Sequence, residues 1–219
     1  MKSSNILIIN YKNYEEIAGS KGVELARIAE DISNELDKEV ILSPPHCLLT
    51  YIAEKVNLKV FAQHLDNVIK GSTTGFIVPE IAYGSMIKGS LINHSEHRIA
   101  RNDIKALVER LRTLGMISVV CARTAEEVKE FSLFKPDYIA IEPPELIGSG
   151  VAVSKAKPEI IRDSIAAANG IKVICGAGIV DGSDVSAALD LGSEGVLIAS
   201  GIIKAKDWKG KIREIVERL

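Results

Sequence analysis

The sequence predicts an α/β protein in which eight strand-then-helix units form one closed parallel barrel. Eight short aliphatic runs recur along the 219 residues, helical patterns lie between them, and no Pro-, Gly- or Ser-rich linker separates them. Aliphatic runs without in/out alternation are typical of strands that are buried on both faces, as in parallel sheets. Eight consecutive units favour a single-domain (β/α)8 barrel over residues 1–219. A doubly wound open sheet is the structural alternative, because parallel strands alone do not separate the two folds.

The individual elements follow from the spacing of apolar residues. The predicted strands are residues 5–10, 39–43, 58–63, 90–93, 117–121, 137–142, 171–175 and 195–200. Three helices show an apolar face at helical spacing. These faces are Leu25, Ile28, Ala29, Ile32 and Leu36; Ile104, Leu107, Val108, Leu111 and Leu114; and Ile212, Ile215, Val216 and Leu219. Glycine favours helix ends, so Gly115 and Gly192 indicate two helix stops.

Composition excludes several classes of function. The net charge is -2, the pI is about 6.1 and no basic run occurs, so we expect no nucleic-acid or membrane-surface partner. No apolar run reaches the length of a signal-peptide core or a membrane span. Cys47, Cys121 and Cys175 are far apart and odd in number. We therefore expect reduced thiols in a cytoplasmic protein, with no disulfide and no metal site.

Polar residues follow several of the predicted strands. In a (β/α)8 barrel the chemistry lies at the C-terminal strand ends, where loops from different strands meet. The candidates are Asn10, Tyr11 and Lys12 after strand 1, His94 and Glu96 after strand 4, Glu142 in strand 6, Gly178 after strand 7, and Ala199 and Ser200 at the end of strand 8. Each has an ordinary structural explanation when taken alone. Their shared placement predicts one pocket that collects them.

The small residues after strands 7 and 8 predict an anion site. Small side chains let backbone N–H groups approach an anion, and helix N-termini add a positive dipole. Loops after these two strands are a frequent phosphate site in this architecture. A phosphorylated small molecule is therefore the expected substrate class.

Several segments together resemble the triosephosphate isomerase family. N-Y-K at 10–12 resembles the family's N-x-K, INHSEHR at 92–98 resembles G-H-S-E-R-R, and AIEPPELIGSG at 140–150 resembles Y-E-P-x-W-A-I-G-T-G. AQHLD at 62–66 also matches near strand 3. The short length, CGAGI at 175–179 and IASG at 198–201 are similar to the compact archaeal branch. The resemblance covers the whole chain and implies a TIM barrel.

The resemblance implies the interconversion of dihydroxyacetone phosphate and glyceraldehyde 3-phosphate through an enediol(ate), without a cofactor or a metal. Glu142 would be the base and His94, helped by Asn10, the electrophile. Lys12 would supply positive charge, with Glu96 holding it in place. Substrate contacts would come from Asn10, Tyr11, Lys12, Ile147, Gly148, Gly178, Ala199 and Ser200.

Two loops carry further expectations. Pro143 and Pro144 stiffen the chain after the base, while Gly148 and Gly150 loosen the far end, which predicts a rigid lid with hinges. The segment 71–76 resembles the family's loop that reaches into a neighbouring subunit. It implies a homodimer, with a homotetramer as the alternative.

The chain also departs from the family pattern at several positions. Asn93 replaces a glycine, His97 an arginine, Pro144-Glu145 a Val-Trp pair, Gly178 a serine, and Ala199-Ser200 two glycines. Two other functions remain open at this point. One is another phosphate-binding barrel enzyme, such as a metal-dependent sugar-phosphate epimerase or an enzyme of tryptophan biosynthesis. The other is a non-catalytic barrel that binds a phosphometabolite.

Overall fold

Eight parallel strands close into a barrel in the computed structural model, which describes residues 5–143 and 157–219. The strands are β1 Ile6–Asn10, β2 Glu39–Ser43, β3 Lys59–Ala62, β4 Gly89–Ile92, β5 Ile117–Ala122, β6 Tyr138–Ile141, β7 Lys172–Cys175 and β8 Gly195–Ile198. Each strand pairs in parallel with the next, and β8 pairs with β1. The predicted (β/α)8 barrel is confirmed and the open sheet is wrong, because β8 closes on β1 instead of leaving two free edges.

The helices lie between the strands, as the apolar spacing predicts. Within the described residues they are α1 Ser20–Leu36, α2 Leu49–Ala53, α3 Pro79–Gly84, α4 Arg101–Leu114, α5 Ala125–Ser132, α6 Pro158–Ala167, α7 Gly182–Asp190, α8 Ser200–Ile203 and α9 Trp208–Val216. Short 3-10 turns occupy Glu15–Ile17 and His46–Leu48. None of these helices combines the length and the apolarity that crossing a bilayer requires.

Local chemistry explains where several helices begin and end. The side chains of Thr124, Asp181 and Asp207 accept backbone N–H groups at the first turns of α5, α7 and α9. The predicted stop after α4 is confirmed, because Gly115 has φ 69° in the left-handed region. Helix α7 ends two residues before Gly192, which has φ 97°.

The core has two parts, and together they explain the unbroken apolar strands. Ile6 and Ile8 of β1 belong to a cluster inside the barrel, whereas Leu7 and Ile9 belong to the larger cluster between the barrel and the helices. Successive strand residues point to opposite faces, so a strand enclosed on both sides needs apolar residues at every position. The barrel is therefore a packed scaffold that holds the strand ends in place.

The long connection after β3 is anchored at its base. The backbone N–H of Asp66 donates to the Ile77 carbonyl at 2.9 Å, and the Ile77 N–H donates to the Asp66 carboxylate at 2.7 Å. Residues 71–76 between these anchors are all exposed. Helix α3 follows, so the connection between β3 and β4 is partly helical.

Candidate active site

Residues from five strand ends line one pocket at the C-terminal end of the barrel. Asn10, Lys12, His94 and Glu142 form one side. The turns after β7 and the start of α8 form the other side with Gly176, Gly178, Ala199 and Ser200. The pocket forms because parallel strands in a closed barrel bring all their C-terminal ends to the same rim.

His94 is held in a defined orientation by the loop after β4. The backbone N–H of Glu96 donates to His94 Nδ1 at 3.1 Å, so Nδ1 acts as an acceptor. In a neutral imidazole the other nitrogen then carries the hydrogen, so His94 Nε2 presents an N–H donor. Nε2 lies 3.4 Å from Glu142 Oε1 and 3.4 Å from Asn10 Nδ2.

The Asn10 amide is oriented by two donors. Its Oδ1 accepts the backbone N–H of Lys12 at 2.9 Å and the Gln63 side-chain amide at 3.3 Å. Asn10 Nδ2 is therefore the group that faces His94. Two N–H donors thus lie side by side in the pocket, where they can bind one shared acceptor oxygen.

Glu142 is a buried carboxylate next to these donors. Its side chain is 4% exposed, and its backbone N–H donates to the Ala122 carbonyl at 2.8 Å. Among the described residues, Oε2 has no hydrogen-bond partner. An unpaired buried carboxylate oxygen costs free energy unless a bound molecule meets it.

Cys121 lies on the barrel-interior side of the site. Burial raises the pKa of the Cys121 thiol well above its ordinary value, and the negative charge of Glu142 adds to this effect. A side-chain hydrogen bond with Glu142 acts in the same direction, so the thiol stays protonated. Cys121 thus packs in the barrel interior and contacts the Glu142 carboxylate.

Lys12 is held in an uncommon backbone conformation. Its φ of 46° lies in the left-handed region, which non-glycine residues rarely adopt. Its Nζ forms an ion pair with Glu96 Oε1 at 3.2 Å, so the expected pairing of these two residues is present. Gln63 donates to the Lys12 carbonyl at 3.1 Å and to the Ser43 carbonyl at 3.0 Å.

Gln63 is a site residue to which the sequence assigned no role. It follows β3 directly, and its one amide nitrogen bonds Asn10, Lys12 and Ser43 together. The available signal was its place in AQHLD at a predicted strand end. That signal did not show which groups the amide would reach.

The structure does not place the Tyr11 side chain in the pocket. It is fully buried, and its hydroxyl donates to the Gly22 carbonyl at 3.3 Å. Burial raises the pKa of the Tyr11 phenol. The expected substrate contact of Tyr11 came only from its place between Asn10 and Lys12. Alternate residues of an extended chain point to opposite sides, so its neighbours face the pocket and Tyr11 does not.

The turns after β7 and β8 approach each other closely. Gly178 has φ 72°, so the replacement of serine by glycine suits the backbone here. A Cβ on Gly201 would lie 2.7 Å from the Ile179 carbonyl oxygen, so glycine lets the two turns meet. Ala199 and Ser200 lie at this junction, and Ser200 begins the short helix α8.

Two departures from the family pattern have a structural explanation. Asn93 has φ 64°, a conformation that asparagine tolerates better than most residues, and its side chain donates to the Cys121 carbonyl at 3.1 Å. The His97 ring stacks on the His64 ring with centroids 3.8 Å apart.

Some expected features lie outside the described residues. These are Ile147 and Gly148, the Pro144-Glu145 pair, and the lid that Gly150 would help to hinge. In residues 5–143 and 157–219, no three histidine, cysteine or carboxylate side chains are grouped in a way that could hold a metal ion.

Fold and pocket together define a TIM-barrel protein with a buried carboxylate and two convergent donors at its C-terminal rim. The family model of triosephosphate isomerase matches residues 5–218. The triosephosphate isomerase of Methanocaldococcus jannaschii is 46% identical over 216 residues, which is 97% of this chain and 99% of that protein. That of Cenarchaeum symbiosum is 47% identical over the full length of both chains, and that of Methanothermus fervidus is 43% identical over 98% of both. The chain belongs to the triosephosphate isomerase family.

Proposed function

We propose that this chain is a triose-phosphate isomerase, which interconverts dihydroxyacetone phosphate and D-glyceraldehyde 3-phosphate. The reaction moves one proton between neighbouring carbons through an enediol(ate) and needs no cofactor. The observation that carries the proposal is the juxtaposition of Glu142 Oε1 and His94 Nε2, 3.4 Å apart in a buried pocket. Family membership supports the same reaction.

Glu142 is the base in this proposal. Removing a proton from carbon requires a carboxylate that is shielded from water. Glu142 meets this requirement, because only 3% of the whole residue is exposed. Oε2, which has no hydrogen-bond partner among the described residues, is the oxygen that can accept the substrate proton. The same carboxyl group then returns the proton to the adjacent carbon, and the isomerisation is complete once the hydroxyl proton has moved from one substrate oxygen to the other.

His94 and Asn10 stabilise the oxygen on which negative charge develops. Their N–H groups lie 3.4 Å apart at Nε2 and Nδ2, which suits one oxygen held between them. The Glu96 N–H at Nδ1 leaves Nε2 as the nitrogen that faces the substrate, so His94 acts as a hydrogen-bond donor to the enediolate. Both donors are oriented before substrate binds, so little reorganisation is needed in the transition state.

Lys12 supplies positive charge for the phosphate and the intermediate. Its side chain is 20% exposed, and the ion pair with Glu96 limits where the ammonium can lie. The Glu96 side chain is 65% exposed, so this pair positions Lys12 more than it stabilises the fold. Glu96 thus has two supporting roles, one through its carboxylate and one through its backbone N–H.

The phosphate group would lie against the turns after β7 and β8. Gly178, Ala199 and Ser200 line the pocket and lack bulky side chains, so their backbones are accessible to an anion. Ile147 and Gly148 would complete this cup from the lid, as the family resemblance implies. Closure would exclude water and protect the intermediate.

The proposal extends to a homodimer. A cleft of about 450 Å³ adjoins the site and is lined by Lys12, His46, Gln63, Glu96 and His97, among others. The exposed segment 71–76 would enter this cleft on a second copy. Exposed apolar side chains in and near the segment support an interface: Ile69, Phe76, Ile81 and Met86. Two copies could exchange these loops around a two-fold axis.

Sedimentation of the purified protein tests the dimer. We expect a dimer, and a monomer for Phe76→Glu. Leu133→Glu is the matched control, because Leu133 is 66% exposed after α5, away from the loop. A homotetramer would add a second interface, whereas a wild-type monomer at micromolar concentration would contradict the proposal.

The remaining parts of the proposal concern the setting of the enzyme. Residues 1–219 would form one domain, and the pairing of β8 with β1, which joins the two ends of the barrel, supports this. The enzyme acts in the cytoplasm, in glycolysis and gluconeogenesis. Three free cysteines are consistent with a reducing compartment.

Turnover of glyceraldehyde 3-phosphate, coupled to an NADH-consuming dehydrogenase, tests the reaction. We expect kcat/KM of about 10⁷–10⁸ M⁻¹s⁻¹ for the wild type and a loss of several orders of magnitude for Glu142→Gln. Glu109→Gln is the matched control, since that side chain is 55% exposed on α4. A folded wild type that binds inorganic phosphate without turnover would favour the non-catalytic barrel, and metal-dependent turnover of another sugar phosphate would favour the epimerase.

A further inference from the structure

Gly176, the first residue after β7, faces the side chain of Glu142. A Cβ placed on Gly176 would lie 2.7 Å from Glu142 Cγ, 3.2 Å from Oε1 and 3.3 Å from Cδ. These three nearest atoms all belong to the proposed base. Carbon atoms in ordinary contact are about 3.5–4.0 Å apart, so the Glu142 side chain occupies the space that any side chain at 176 would need.

The backbone at Gly176 does not itself require glycine. Gly178, two residues further on, has φ 72°, but Gly176 is not among the residues with positive φ. Alanine could therefore adopt the Gly176 conformation without backbone strain. The close approach of Glu142 is the structural reason for glycine at this position.

Both backbones are tied to the barrel, so neither can withdraw easily. The Gly176 N–H donates to the Ile141 carbonyl at 3.0 Å, and the Glu142 N–H donates to the Ala122 carbonyl at 2.8 Å. A methyl group at 176 would therefore displace the Glu142 side chain before it displaced either strand end. The displaced atoms include Oε1, which lies 3.4 Å from His94 Nε2.

We propose that Gly176 is a positioning residue for the base: its missing side chain lets Glu142 hold its carboxylate beside His94. The inference rests on the proposed role of Glu142. It predicts an effect on the proton-transfer step and not on phosphate binding, because the groups proposed to hold phosphate lie elsewhere in the pocket. A displacement of about 1 Å in a catalytic group can reduce the rate about 100-fold.

The first test compares Gly176→Ala with Gly84→Ala. Gly84 is a matched control, because a Cβ there meets no atom within 4 Å and its φ is not positive. We expect kcat of Gly176→Ala to fall about 100-fold while KM changes less than about threefold. The control should keep both constants. Wild-type kcat in Gly176→Ala, or a rise in KM with kcat unchanged, would overturn the inference and leave the proposed reaction standing.

The second test is a cycle of thermal unfolding that does not depend on activity. Glu142→Ala removes Cγ, Cδ and both oxygens, so a methyl group at 176 then has room. We expect Gly176→Ala to lower the midpoint in the wild-type background and to leave it unchanged in the Glu142→Ala background. Equal losses in both backgrounds would overturn the inference. If Gly176→Ala alone fails to fold, recovery of a folded protein in the double variant supports it and failure of the double variant contradicts it. Absence of turnover in the wild type would refute the proposed reaction, and the unfolding cycle would still test the contact.

Discussion

Replacing Gln63 with leucine should weaken both the site and the fold, because one amide nitrogen bonds three acceptors. The acceptors are Asn10 Oδ1 at 3.3 Å, the Lys12 carbonyl at 3.1 Å and the Ser43 carbonyl at 3.0 Å. Leucine has a similar volume but donates nothing. The change therefore removes the three contacts without opening a large cavity.

The expected loss of unfolding free energy depends on which hydrogen bonds each acceptor still has after Gln63 is replaced. A net hydrogen bond contributes about 1 kcal/mol to stability, and the two hydrogens of the amide nitrogen, which the three acceptors share, set an upper value of about 2 kcal/mol. Asn10 Oδ1 still accepts the Lys12 N–H at 2.9 Å, and the Ser43 carbonyl still accepts the Tyr11 N–H at 3.0 Å. We therefore expect the free energy of unfolding to fall by about 1–2 kcal/mol in urea titrations.

Activity should fall as well, because Gln63 helps to hold Lys12 at φ 46° and Asn10 in its amide orientation. A shift of either group by about 1 Å predicts a loss of about 10–100-fold in kcat/KM. The isosteric variant Gln63→Glu separates donation from packing. Its carboxylate would face three acceptor oxygens, so it should be worse than Gln63→Leu in the unfolding assay. A Gln63→Glu protein as stable as the wild type would refute the reasoning.

Three further predictions concern burial and backbone conformation. Burial lowers the pKa of His64 despite its hydrogen bond to Asp66, so at low pH the unfolded chain binds more protons than the folded protein does. The free energy of unfolding should therefore fall as the pH drops below about 6.5. Urea titrations at several pH values should show a smaller fall for His64→Gln. At pH 8, iodoacetamide should modify the exposed Cys47 of the native protein but not Cys121 or Cys175, because burial raises the pKa of both buried thiols. Mass spectrometry would count the adducts. Rapid modification of either buried thiol would contradict the packing. Asn93→Ala should lower the free energy of unfolding by about 1–3 kcal/mol, and Asn93→Gly should lower it by less, because glycine adopts φ 64° without strain. Equal losses in the two variants would show that only the side-chain hydrogen bonds of Asn93 matter.

The elements of the fold were predictable because their signals are local. Every predicted strand overlaps an observed one, and β2 at Glu39–Ser43 agrees at both ends. A run of apolar residues indicates burial on both faces of a strand, and this can be seen without knowing any contact with residues far away in the chain. Closure is different, since it depends on β8 meeting β1 across almost the whole chain. Eight repeated units favoured closure, and only the pairing decided it.

The candidate site was predictable to the extent that its residues follow strands. Asn10, Lys12, His94 and Glu142 come together as expected, because a parallel barrel brings every C-terminal strand end to one rim. Tyr11 shows the limit of this reasoning. Tyr11 lies next to site residues in the sequence, but its side chain points into the core.

By itself, the sequence determined the eight strand-and-helix units, the polar residues at their ends and the resemblance to one family. Those features depend on residue types and on short spacings, and both can be read directly from the sequence. Only the tertiary structure decided that Gln63 bonds Asn10, Lys12 and Ser43, and that Gly176 makes room for Glu142. Contacts between residues far apart in the chain depend on the directions of side chains and on distances of a few tenths of an ångström, and these arise when the barrel closes.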